Sequence, residues 1–173
     1  MKKIWLVVLL TLLFSGCSKD TSLETITDVP DTPVIATMQK ALIQLPPELS
    51  TPVLEDEKNG VLYLCDDYSV TVQTVQAGNL EQTIFNATGM EKDSLQIIKT
   101  QQGDTKRYQW VWSATGESGI RVGRGCVLDD GNYHYVLTAL CDEEKAGQVQ
   151  SAWKEIFASF RLTPEREEVS TGS

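Results

Sequence analysis

From residue 38 onward, apolar side chains recur mainly at every second position, the period of strands with one buried face. Ala41–Leu45 predicts a short strand, closed by Pro46 and Pro47, which cannot donate to a ladder. Val61–Cys65 and Tyr68–Val75 read as a hairpin about Asp66-Asp67, with Val61, Tyr63 and Cys65 sharing a face with Val72, Val70 and Tyr68. The period then changes. Asn79 is placed to cap a short helix, with Gln82 three residues on as in a capping box and Gly89 as its stop. Two more hairpins follow: Leu95–Thr100 with Lys106–Ser113 about Gln101-Gln102-Gly103-Asp104, and Gly119–Leu128 with Tyr133–Cys141 about Asp129-Asp130-Gly131-Asn132. Asp-Gly is a strong tight-turn signal; centred there, the second hairpin sets Leu128 opposite Tyr133 and Cys126 opposite Tyr135.

Carried across these four strands, the alternation gathers Leu95, Ile97, Tyr108, Trp110, Trp112, Ile120, Val122, Cys126, Leu128, Tyr133, Tyr135, Leu137 and Ala139 on one face. A cover for it follows directly. Asp142 stands as the cap of a helix with Glu143 and Glu144 in its first turn, favourable against the helix dipole. Its apolar positions, Val149, Trp153, Ile156, Phe157 and Phe160, form a helical stripe. The expected fold class is α+β: an antiparallel sheet with a short helix and a long C-terminal helix packed on one face. This order of elements, with the closing pattern Trp153 to Leu162 (WKEIFASFRL), resembles the PsbP-like fold of photosystem accessory proteins and of small DcrB-like bacterial lipoproteins. The resemblance covers roughly residues 38 to 162. It implies a non-enzymatic accessory or binding role and carries over no site residues.

The chain begins differently. Lys2 and Lys3 precede an apolar run from Ile4 to Phe14, about half of the ~20 residues a membrane span needs, with the flanks of a signal peptide. Phe14-Ser15-Gly16-Cys17 resembles the lipobox of bacterial lipoprotein precursors, although Phe14 replaces the usual leucine. The resemblance implies cleavage before Cys17 and acylation of its thiol, and two or more acyl chains suffice for stable anchoring. The organisation that follows is residues 1–16 as signal peptide, 17–37 as lipidated cysteine and tether, 38–162 as one α+β domain and 163–173 as a charged tail. The tether is polar, carries Pro30 and Pro33, and has no apolar period.

Charge narrows the partners. The sequence holds 15 basic and 24 acidic side chains; loss of Lys2 and Lys3 with the signal leaves 13 against 24, a net of −11. Such a surface is repelled by phosphates, so nucleic acid is excluded and the membrane is reached by lipid anchor rather than by charge. After Cys17 three cysteines remain, Cys65, Cys126 and Cys141. The assumed register separates Cys126 from Cys141 by about 20 Å, too far for a disulfide, whereas Cys65 with either partner stays open. All three read as small buried hydrophobes.

His134 is the sole histidine and falls on the face opposite the aromatic one, as a partly exposed strand residue. One histidine cannot build a His-rich zinc site, no nucleophile motif is present, and Glu55-Asp56-Glu57, Asp66-Asp67 and Asp129-Asp130 lack calcium-loop spacing. No cofactor or metal is expected. Arg107 and Arg121 are expected on a common outer face near Arg124, beside Gly119, Gly123 and Gly125, whose glycines mark a bulge or a close approach. Arg107, Arg121, Gly123 and His134 are therefore the candidate partner or ligand face. The reading is a non-enzymatic, membrane-anchored interaction module on the extracytoplasmic side, with another envelope protein as partner. The alternative is a small-ligand-binding lipoprotein serving a transporter.

Overall fold

Gly103 and Gly131 adopt left-handed φ angles of 58° and 90°, and each opens the two-residue loop of a hairpin, where glycine meets no Cβ penalty. These loops set the sheet described by the computed structural model, which covers residues 38–56, 60–116 and 119–163. In chain order the elements are β1 (Ala41–Leu42), β2 (Pro52–Asp56), β3 (Gly60–Leu64), β4 (Tyr68–Gln76), α1 (Leu80–Thr88), β5 (Ile98–Gln102), β6 (Thr105–Gly116), β7 (Gly119–Asp129), β8 (Tyr133–Asp142), α2 (Ala146–Ser159) and β9 (Arg161–Leu162). Seven strands form one antiparallel sheet in the order β2-β3-β4-β8-β7-β6-β5, and β1 pairs with β9 apart from it.

The β3–β4 hairpin has the expected register, Val61 opposite Val72 and Tyr63 opposite Val70. The β7–β8 hairpin is displaced by one pair. Leu128 faces Tyr135 and Cys126 faces Leu137, because the loop is Gly131-Asn132 and not Asp130-Gly131. The aspartates are turned to other work: Asp129 accepts from the Gly131 amide, and Asp130 from those of Asn132 and Tyr133. A shift of two leaves every side chain on its face. Cys141 lies four residues beyond the partner of Cys126, roughly 13 Å along the strand, and Cys65, Cys126 and Cys141 are all free thiols.

One expectation about the faces is overturned. The β6–β7 pairing puts Trp110 opposite Gly125 and Trp112 opposite Gly123, so the tryptophans and Tyr108 lie on the other side of the sheet from Cys126 and Leu128. Gly116 pairs with Gly119, which sets even-numbered residues of β6 opposite odd-numbered ones of β7, where the carried alternation puts even with even; residues 117–118 lie outside the described residues. The sheet therefore has two buried faces. One, face A, carries Tyr68, Val70, Cys126, Leu128, Tyr135, Leu137 and Ala139 under α2, whose Val149, Trp153, Ile156 and Phe157 are buried with Phe160. On the other, face B, Trp110, Trp112, Val127 and Val136 pack with Ile84 of α1, joined by Leu95, Ile97 and Tyr108. The fold of the described residues is α+β, as expected, but α1 and α2 cover opposite faces rather than one.

Local chemistry closes the elements. Asn79 caps α1 by accepting from the Glu81 amide, and Gly89 ends it at φ 73°. Gln82 does not complete a capping box; it donates to Asn86. Asp142 makes no cap bond and pairs with Arg121 instead. The acidic turn Asp66-Asp67 is held by Lys145, whose ammonium lies 3.1 Å from the Asp67 carboxylate. At the far end of α2, the Gln44 amide donates to Ser159 Oγ and the Thr163 amide to Lys40 carbonyl, which lays β1 and β9 over the helix terminus.

Candidate functional site

α2 shields the middle of face A but not the wing formed by β5, β6 and the start of β7. On that wing Ile98 is 66% exposed, Val111 64% and Ile120 46%. Their register makes them neighbours: Ile98 opposes Gln109, two residues from Val111, and Val111 opposes Arg124. With Ala146, Gln150 and Trp153 of α2 along the other side, Ile98 and Val111 enclose a groove of about 600 Å³, which Ile120 does not line. Most of its lining is apolar, and its cation is Arg124. Trp153, 7% exposed, lines it, and its indole Nε1 is buried without an acceptor among the described residues.

Arg124 is held from two sides. Its guanidinium lies 4.6 Å from the centre of the Phe157 ring, a cation–π distance, and one terminal nitrogen donates to Gln109 Oε1 at 3.4 Å. Among the described residues no carboxylate pairs with it. Burial, with Arg107 adding repulsion, lowers its pKa from the ordinary arginine value. Arg107 is differently employed. It donates to the carbonyls of Phe157 and of Phe160, the latter at 2.8 Å, and so satisfies the acceptors left free where α2 ends. Beyond Arg107 a second cleft of about 930 Å³, of mixed polarity, runs past Thr100, Asp104 and Asp130 to Leu162.

The four residues singled out from sequence are not brought together. Arg107 projects to face A and Arg121, whose parity is that of Gly123 and Gly125, to face B, where its Nε lies 3.7 Å from Asp142. Gly123 and Gly125 have no left-handed φ and interrupt no pairing. Their role is room: a Cβ on Gly123 would run into the indole of Trp112, and one on Gly125 into that of Trp110. His134 is 2% exposed, not partly exposed. α1 lies over it, with Thr83 Oγ1 2.8 Å from Nδ1. Thr83 Oγ1 also lies 3.4 Å from the Asn79 carbonyl oxygen. Burial holds the His134 pKa below its usual value, against the opposing pull of Asp129 and Asp130.

What sequence reasoning missed was the groove itself, and a signal for it existed. Apolar residues at 110, 111 and 112 occupy both parities of β6, so one of them had to leave the tryptophan face. Among the described residues no three His, Cys, Asp or Glu side chains are grouped to hold a metal ion, and no helix is long and apolar enough to cross a membrane. Cys17 lies outside the described residues.

No protein-family model matches the chain, and no curated protein sequence does. Several solved structures are similar to it, among them the following two. One is the crystal structure of LpqN, involved in cell envelope biogenesis of Mycobacterium tuberculosis, at 14% identity over 75% of this chain and 87% of that one, with a TM-score of 0.49. The other is the solution structure of the cyanobacterial PsbP (CyanoP) from Synechocystis sp. PCC 6803, at 11% identity over 71% of this chain and 82% of that one, with a TM-score of 0.45. Neither likeness bears on what this chain binds.

Proposed function

We propose that this chain is a lipid-anchored, non-catalytic binding module of the cell envelope that presents the face A groove to its partner. The groove carries the reading: an apolar concavity, two of whose wall residues are about two-thirds exposed, with a half-buried arginine that no carboxylate neutralises among the described residues. Exposed contiguous apolar surface rimmed by polar groups is characteristic of interaction sites. Anchoring at Cys17 supplies the location, with the domain on the extracytoplasmic side. The test of location is metabolic labelling with an alkyne fatty acid, which tags the wild-type chain and not Cys17→Ser; an equally labelled variant would refute it.

The test of function is a photo-crosslinking amino acid placed in living cells at Ile98 or Val111, with Thr138 of face B as control. One dominant adduct from the groove positions, absent from the control, is the expected result. Equal scattered adducts from both faces would overturn the reading. A small-ligand role is the second reading, and the size of the groove favours it, since ligand sites run to about 300–1,000 Å³.

A further inference from the structure

We propose that the face A groove binds a single-chain amphiphile with an anionic head, its chain along Ile98, Val111 and Trp153 and its head on Arg124. The inference rests on the binding-module reading of the same groove and names its ligand class. Three observations lead to it.

The first is the uncompensated cation. A guanidinium offers five N–H donors in a fork that suits carboxylate or phosphate. Arg124 spends one on Gln109 at the long distance of 3.4 Å. Acidic side chains outnumber basic ones by 24 to 15 in this sequence, yet none pairs with Arg124 among the described residues. Neutral Gln96, Gln109 and Gln150 line the groove instead, so an incoming anion meets no like charge there. Burial and Arg107 both work against the Arg124 charge, and an anion would relieve both.

The second is the wall. Ile98 and Val111 expose apolar surface beside an indole, and covering it is worth about 25 cal/mol per Å². The third is the geometry that joins them. Val111 and Arg124 are directly opposed on neighbouring strands, so a head on Arg124 leaves its chain against Val111. Arg107 does not compete for the head, because the α2 carbonyls hold it.

The test uses the full chain in its own membranes, exposed to palmitate bearing a diazirine in its chain and then mapped by mass spectrometry. Adducts on peptides containing Ile98 or Val111, displaced by dodecanoate but not by dodecyltrimethylammonium, are expected. Arg124→Gln should weaken labelling about tenfold, the equivalent of about 1.4 kcal/mol, with partial recovery in Arg124→Lys. Ile98→Ser, on an exposed edge position, removes apolar wall without adding a charge near Arg124 and should also weaken it. Labelling that neutral or cationic amphiphiles displace equally well, or that Arg124→Gln leaves unchanged, would overturn the proposal. A diazirine lysophosphatidylglycerol, also single-chained, run in parallel tells a phosphate head from the carboxylate of a free fatty acid. No lipid adduct at the groove, with a protein adduct from Val111, would end this proposal and leave the binding module standing; neither adduct would end both.

Discussion

Gly125 and Gly147 differ in what a methyl group would meet, and the same substitution should act with opposite sign at the two. A Cβ on Gly125 enters the indole of Trp110, itself 3% exposed, whereas nothing lies within 4 Å of one on Gly147 in α2. Gly125→Ala is expected to destabilise by about 1–3 kcal/mol through overpacking, and Gly147→Ala to stabilise by about 0.5 kcal/mol through helix propensity. Urea midpoints measure both; a neutral Gly125→Ala would remove the steric account of that position. His134 makes a prediction in pH. Its folded pKa lies below the unfolded value near 6.5, so the unfolded chain takes up the proton first. The imidazole therefore contributes stability above pH 6.5 that is lost as pH falls through the unfolded and then the folded pKa. His134→Gln should flatten the dependence of stability on pH just below 6.5, and an unchanged slope would assign that dependence to other groups. Cys126 is buried, and its thiol is pushed up to about 11 by that burial despite Arg107 and Arg124; among the described thiols, Cys65 alone is partly exposed.

At the scale of elements, α2 is tied at both ends by residues far away in sequence. Lys145 grips the β3–β4 turn, and Arg107 of β6 closes the C-terminal carbonyls. Hydrogen bonds from a charged donor contribute about 1.5–3 kcal/mol each, so Arg107→Met should lower stability by about 2–4 kcal/mol, read from chemical denaturation. Arg107→Lys should recover only part, because a single ammonium does not reproduce the guanidinium fork. A loss in Arg107→Met no larger than that of a surface substitution would show that the α2 carbonyls find other donors. The stripe of α2, the cap of α1 at Asn79 and the β3–β4 pairing were legible because each follows from residues within one or two turns. β2 and β9 were not. Leu54, Glu55 and Asp56 of β2 are exposed, which gives the strand no apolar alternation, and β9 has only two residues; both exist by pairing with a partner already in place.

Over the whole molecule, β8 lies between β4 and β7 with both faces covered, while β2 and β5 close the sheet at its edges. Amide exchange should follow that order: slowest in β8 and the facing parts of β4 and β7, fastest in β2 and β5, since local opening is governed by burial. Protection of β5 equal to that of β8 would mean that something covers the wing beside the groove. The layering also explains why that groove exists. One helix on each face leaves the wide β5–β6 wing without a cover on face A, and the apolar residues of that wing are what α2 does not reach.

The sequence by itself determined the class of fold, the alternation within each strand, most turns and the helical stripe, because these depend on neighbours a few residues apart. The tertiary structure alone decided which alternating set faced which helix. That choice hangs on the parity of the β6–β7 connection, where a change of one residue exchanges the faces of everything beyond it. It moved Trp110 and Trp112 onto Gly125 and Gly123 beneath α1, buried His134, and parted Arg107 from Arg121. It also set Val111 beside Arg124 at the margin of α2: a site made by strand pairing and helix placement, and so absent from any short stretch of the chain.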